Sequence, residues 1–183
     1  MNKKYELTDE TQEWNGRTLH RIRALADFGD VKAGELGGWI EKEENLSHNG
    51  NAWVYGDAQV YGDAWVCGNA GVYGDAWVCG NAWVCGNAWV YGNAEIFKTS
   101  DYFTSGPIGS RNATITFFRC KDGKIRATTG CFYGDLDQLE AAVRSKHQNN
   151  NYAQAYMAVI AAAKAQIVAE DRKSTRLNSS HRN

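Results

Sequence analysis

Residues 51–98 are eight consecutive six-residue units: NAWVYG, DAQVYG, DAWVCG, NAGVYG, DAWVCG, NAWVCG, NAWVYG and NAEIFK. Ala holds the second position of every unit, an aliphatic residue (Val54 through Val90, then Ile96) the fourth, and Asn or Asp the first. Gly closes every unit except the last. Side chains alternate faces along a strand, so Ala and Val point one way and Trp and Tyr the other. Gly followed by Asn or Asp lets the backbone enter the left-handed region and turn. A corner every six residues leaves too little chain for hairpins, but it suits a coil with three flat sides per turn. A triangular interior lined by Ala and Val is narrow enough to close-pack. A helix is disfavoured, because Val, Gly and Asn are poor helix formers.

Read from its aliphatic residue, the unit becomes V-[YC]-G-[DN]-A-x. This resembles the hexapeptide repeat of left-handed β-helix proteins, a family best known for acyltransferases. The resemblance supplies the left hand, which periodicity alone does not choose. With three units per coil, residues eighteen apart stack at the strand spacing of roughly 4.8 Å. Tyr55, Tyr73 and Tyr91 then form one ladder, Trp53 lies over Gly71 and Trp89, Trp65 over Trp83, and Cys67 over Cys85. Eight units give fewer than three coils, about 13 Å of solenoid. So short a stack needs covers at both ends.

The flanks are read as those covers. Residues 1–50 form an N-terminal cap and a degenerate first coil. Arg17–Leu25 alternates as a strand would, placing His20, Ile22 and Ala24 opposite Leu19, Arg21 and Arg23. Arg17, Arg21 and Arg23 are a possible anion site, though such a row is more commonly a solvated strand face. Leu46 follows Ile40 by six residues but precedes Val54 by eight, so the register slips around Ser47–Gly50. The stretch WNGRTLHRIRALADFGDVKAGELGGWIEKEENLSHNGNAWVYGDA, and GGWIEKEENLS in particular, resembles the opening of phage and prophage hexapeptide-repeat proteins of unassigned function. That resemblance implies a viral or prophage origin and carries no activity onto named residues.

Residues 99–170 read as a small α+β module. Ala113–Cys120 and Ile125–Phe132 are two strands joined through Asp122-Gly123, a strong hairpin signal. Asp135 and Gln138 form a capping box for a helix running to Lys146. A second helix runs from about Tyr152 to Ala169, with Tyr152, Tyr156, Ile160, Ala163 and Ile167 as its apolar stripe. Residues 171–183 are set aside: DRKSTRLNSSH reads as the in-frame translation of a sequencing-library adaptor. Without them the formal net charge moves from −1 to −4. A mildly acidic protein is a poor phosphate-backbone binder, so nucleic acid is not an expected partner.

No apolar run approaches a membrane span, and residues 1–20 lack the apolar stretch of a signal peptide, so a cytoplasmic protein is expected. The five cysteines are odd in number and contain no CxxC pair. They predict buried or semi-exposed thiols rather than a disulfide framework or a zinc site. Of His20, His48, His147 and His181, none lies inside the repeats. His48, at the register slip, is the sole candidate base near the coils, and a lone loop histidine is usually solvated. Three-histidine metal chemistry of the carbonic-anhydrase kind lacks its ligands. No catalytic residue, metal site or cofactor is therefore assigned.

The loop at Gly106–Asn112 is the best small-ligand candidate. Gly109 allows backbone N–H groups to approach an anion, while Ser110 and Arg111 add a hydroxyl and a fork of donors. The plainer reading is a structural loop in which Arg111 pairs with a nearby carboxylate. Cys131, after Gly130, is a lesser candidate as a reactive thiol. The outward rings of Trp53, Trp65, Trp77, Trp83, Trp89, Tyr55, Tyr73 and Tyr91 suit a subunit interface or a stacking platform. They suit cross-strand stabilisation equally well.

The leading expectation is a non-enzymatic, phage-derived binding protein that self-associates, with a trimer as the family-like arrangement and a host protein or small anion as partner. The alternatives are a hexapeptide-type acyltransferase acting at a subunit boundary, and a protein that sequesters a small nucleotide or anion.

Overall fold

The computed structural model describes residues 3–167. The adaptor-like segment 171–183 lies outside them, as does the expected end of the second helix. The protein is mainly β: a parallel β-solenoid of about three turns, closed at one end by a β-hairpin and at the other by a sheet with two helices.

The chain opens with a hairpin of β1 (Tyr5–Trp14) and β2 (Arg17–Ala24) and continues into β3 (Leu36–Ile40). The repeats then supply eight two-residue strands, β4 (Trp53–Val54), β5 (Gln59–Val60), β6 (Trp65–Val66), β7 (Gly71–Val72), β8 (Trp77–Val78), β9 (Trp83–Val84), β10 (Trp89–Val90) and β11 (Glu95–Ile96). They form three sides. The first is β3-β5-β8-β11, extended by the hairpin; the second is β6-β9; the third is β4-β7-β10. Val54 pairs with Val72 and Val72 with Val90, the eighteen-residue step that the repeat predicts. In the first coil Ile40 pairs with Val60 and Leu46 with Val66, a step two residues longer. The extra residues fall between Leu46 and Val54, where the slip was expected.

Every Ala and aliphatic residue of the repeats is buried, at 1% exposure or less. The corners are stacked as tightly as the interior. At Gly68 (φ +67) an added Cβ would lie 2.9 Å from the Gly86 nitrogen, so both the backbone angle and the stacking distance demand glycine there.

The N-terminal cap works from both faces of β2. Tyr5, Ile22, Ala24 and Val31 join the solenoid core, while Leu19 packs with Trp39, Tyr61 and Cys79 on the outer face of the first side. Simple alternation would place Leu19 opposite Ile22 and Ala24, and both faces are indeed covered. A register shift between Arg21 and Arg23 bends the strand between them. The Tyr5 hydroxyl donates to the carbonyls of Glu43 and Leu46, tying the hairpin to the first coil.

At the other end the module has four strands, not two: β12 (Tyr102–Ile108), β13 (Ala113–Arg119), β14 (Ile125–Thr129) and β15 (Phe132–Asp135), antiparallel in that order. The outer strands escape a sequence reading because Gly106-Pro107 and Gly134 interrupt them, and edge strands tolerate such residues. β13 alternates cleanly. Phe118 enters the solenoid core, while Ile115 and Phe117 meet the helices α1 (Leu136–His147) and α2 (Asn151–Gln166). Asp135 caps α1 and Gln138 completes the box, as expected. Asn150 caps α2.

A candidate ligand cleft on the third side of the solenoid

On the outer face of the third side, Gly71 stands where the units above and below carry Trp53 and Trp89. The missing indole leaves a gap. The Tyr73 ring leans into it, close enough that a Cβ on Gly71 would lie 2.4 Å from Tyr73 Cε2. Tyr73 stacks on Tyr55 with centroids 4.1 Å apart and planes 7° from parallel, and on Trp89 and Tyr91 at 5.4 and 5.1 Å. Tyr55, Tyr73 and Trp89 floor a cleft of about 460 Å³.

Its walls come from three parts of the chain. Gly29 and Asp30 arrive from the N-terminal cap, Asn51, Asn69 and Asn87 from successive corners, and Thr114, Thr116, Thr128 and Thr129 from the C-terminal sheet. The Asn69 amide donates to Asn87 Oδ1 at 3.1 Å, so the corner amides form a ladder. Thr116 and Thr128 hold the sheet against the coil: the Thr116 hydroxyl accepts from the Trp89 N–H at 3.1 Å, and that of Thr128 donates to the Trp89 carbonyl at 2.9 Å.

Among the described residues Asp30 is the sole carboxylate in the lining, which has no Lys, Arg or His. Burial, the neighbouring tyrosines and Asp30 together push the Tyr73 phenol far above its usual range. Tyr73 therefore stays a neutral hydroxyl at any physiological pH. The cleft presents aromatic faces below and amides and hydroxyls around, a surface for a neutral ring-bearing molecule rather than a phosphate.

The sequence candidates separate by location. Tyr55, Tyr73 and Trp89 meet at the cleft, and Tyr91 lies beside them against Tyr133. Trp53 is 1% exposed beneath Tyr5 and Phe28, so its place in a subunit interface is corrected: this chain's own cap covers it. Trp77 is likewise engaged internally, edge-on to Trp14 at 4.9 Å and beneath the Lys121 ammonium at 3.6 Å. Trp65 and Trp83 stand together on the second side, where Trp83 is 55% exposed. Beside them Cys67 and Cys85 form a disulfide, correcting the expectation of unpaired thiols throughout. The eighteen-residue ladder brings their Cα atoms to 4.6 Å, within bonding reach.

The arginine row is occupied. Arg17 pairs with Glu41 at 2.7 Å, Arg23 with Glu6, and Arg21 lies over Trp39 at 5.1 Å. His48 stacks on Tyr5 at 4.3 Å, and its Nδ1 accepts the Lys4 N–H at 3.2 Å. That bond uses the lone pair a general base needs on Nδ1, and burial holds the imidazole below its usual pKa. His48 reads as part of the cap. Gly109, Ser110 and Arg111 form the turn between β12 and β13. Ser110 and Arg111 line a neighbouring, smaller cavity that also has Cys131 and His147 in its lining and shares Ala113, Thr129 and Gly130 with the cleft.

Sequence reasoning missed Asp30, the asparagine ladder and the threonine wall. The one available signal was the break in the Trp pattern at Gly71. Among the described residues no cluster of His, Cys, Asp and Glu is arranged to hold a metal, and no helix is long and apolar enough to cross a membrane.

No family model matches the chain. The chain is 38% identical over 61 residues to a protein of Escherichia coli (strain K12) described as "Uncharacterized acetyltransferase YdcK". The match takes in 29% of this chain and 19% of that protein, so the chain spans about a fifth of its relative's length. A hexapeptide-repeat solenoid is consistent with both this likeness and the observed fold.

Proposed function

We propose that this chain binds a neutral, hydroxyl-rich ring compound such as a glycoside in the third-side cleft, as the acceptor-binding body of a hexapeptide-type acyltransferase. The observation behind the binding half is the gap at Gly71, floored by Tyr55, Tyr73 and Trp89 and walled by Asn and Thr side chains. Aromatic faces stack on the apolar face of a sugar ring, while amides and hydroxyls match its hydroxyl groups. The reaction half draws on the likeness to a protein described as an acetyltransferase. That likeness favours acyl transfer over a non-enzymatic, phage-derived interaction protein.

In such a reaction the acceptor hydroxyl gives its proton to a base as it attacks the acyl carbonyl. Asp30 is the cleft's own candidate for that proton. Further groups would come from a second copy, and Trp83 beside Trp65 supports self-association through the second side.

The test titrates the purified full chain with neutral mono- and disaccharides, following tryptophan fluorescence, then measures thiol release from acetyl-coenzyme A with each sugar that binds. Saturable binding is expected, weakened at least tenfold by Gly71→Ala, which forces Tyr73 into the cleft, with the melting temperature checked in parallel. Absence of sugar binding at millimolar concentration would remove the cleft from consideration. Binding without acetyl consumption would leave a lectin-like protein and end the acyltransferase reading.

A further inference from the structure

A second cavity, of about 140 Å³, lies between the C-terminal sheet and its two helices. Its floor is apolar, formed by Phe132, Leu139, Val143 and the ring of Tyr156. Among the described residues its lining has three basic side chains and no carboxylate. Arg111 comes from the turn between β12 and β13, and Lys146 and His147 from the last turn of α1. The turn is drawn close to α2: Gly109 has φ +71, and a Cβ there would lie 2.5 Å from the Tyr156 hydroxyl. The His147 ring lies nearly parallel to that of Tyr156, with centroids 5.9 Å apart.

Basic residues at the end of α1 offset the negative end of the helix dipole, which accounts for Lys146 and His147. It does not account for Arg111, which reaches the same cavity from a different element. Among the described residues neither Arg111 nor Lys146 forms an ion pair with a carboxylate. Elsewhere among the described residues Arg17, Arg23, Arg119 and Arg126 do, whereas Arg21, which lies over Trp39, and Arg144 do not.

We infer that this cavity binds a small organic monoanion, a carboxylate with a short apolar tail. The tail lies on Phe132, Leu139 and Val143, and the carboxylate meets the Arg111 guanidinium, the Lys146 ammonium and the Ser110 hydroxyl. A guanidinium binds a carboxylate through two parallel hydrogen bonds, which gives direction as well as charge. The volume is below the roughly 300–1,000 Å³ of ordinary drug-sized sites, so a tail of a few carbons fits and a larger amphiphile does not. The cavity adjoins the aromatic cleft, sharing Ala113, Thr129 and Gly130 with its lining, but its anion-binding groups lie outside that cleft and do not depend on the function proposed for it.

Cys131 supplies the readout. Its exposed thiol lines the cavity, whereas Cys79 and Cys120 are buried and Cys67 is bonded to Cys85. The full chain is alkylated with iodoacetamide at matched ionic strength, with sodium hexanoate, hexanol or neither present. Hexanoate should slow modification of Cys131 severalfold and saturably, while hexanol should leave the rate unchanged. Arg111→Gln should raise the half-protecting hexanoate concentration about tenfold or more, as loss of a charge-assisted hydrogen bond implies. Lys146→Gln should act in the same direction. Both side chains are exposed, so melting temperatures should match the parent. Equal protection by hexanol, protection that survives Arg111→Gln, or no protection by hexanoate each overturns the assignment.

Discussion

The junction between the solenoid and its C-terminal sheet depends on a carboxylate with no solvent exposure, and that is where the fold should be most sensitive. One oxygen of Asp101 accepts the N–H groups of Phe97 and Lys98 at 2.9 and 3.1 Å; the other accepts Arg119 Nε at 3.1 Å. The paired guanidinium is equally enclosed, with 2% of its side chain exposed. Asp101→Asn keeps the shape but replaces one acceptor oxygen with an amide that donates. Whichever way the amide turns, donors face a donor, and the guanidinium loses its counter-charge. Breaking a buried pair from one side costs about 3–5 kcal/mol. In a chain of this length each kcal/mol lowers the melting temperature by about 2–4 °C, so a fall of roughly 6–20 °C is expected. Thermal and urea unfolding, followed by far-ultraviolet circular dichroism and tryptophan fluorescence, measures it. Arg119→Met should be costly alone, and the double variant should lose at least about 1 kcal/mol less than the two singles summed. A loss under about 1 kcal/mol for Asp101→Asn would refute the reasoning, because surface substitutions commonly cost that little.

Other expectations address different parts of the molecule. Val72→Asp places an unpaired charge inside the fully buried Ala–Val stack and should abolish folding; a soluble variant with unchanged dichroism and melting temperature contradicts the inward assignment. Replacing Cys67 and Cys85 with Ser opens a bridge between residues eighteen apart, worth up to about 3 kcal/mol from chain entropy. The parent under reducing conditions should lose the same amount, and denaturant titration compares the two. Burial pushes the Lys4 ammonium down from 10.5 to about 8. Above that value the unfolded chain keeps a proton that the folded chain has released, so stability should rise with pH. The melting temperature should climb from about pH 7.5 to about pH 8.5; beyond that the Cys120 thiol, which ionises near 9.0 when unfolded but is held protonated by burial in the fold, increasingly acts in the opposite sense. Lys4→Met should reduce the climb, and an equal climb in that variant assigns the effect elsewhere.

Two identical units show where local information ends. Residues 51–56 and 87–92 both read NAWVYG, and both place Ala and Val inward and Trp outward. The period-two geometry of a strand acts within one unit, so the sequence alone specified those directions, the eighteen-residue ladders and the slip before Val54. The capping box at Asp135 and Gln138 is local in the same sense. Yet Trp53 is 1% exposed and Trp89 49%. The difference lies in what distant chain covers each ring: Tyr5 and Phe28 close over Trp53, whereas the C-terminal sheet bonds the Trp89 backbone and leaves its ring facing the open cleft. The cysteines divide in the same way. Cys67, Cys79 and Cys85 all occupy the fifth position of a unit. Stacking joins Cys67 to Cys85, while Cys79 packs with Tyr61 and Leu19. The repeat could aim each outward side chain, but only the folding of remote segments onto the three sides decided which were covered, which were bonded and which were left facing a ligand.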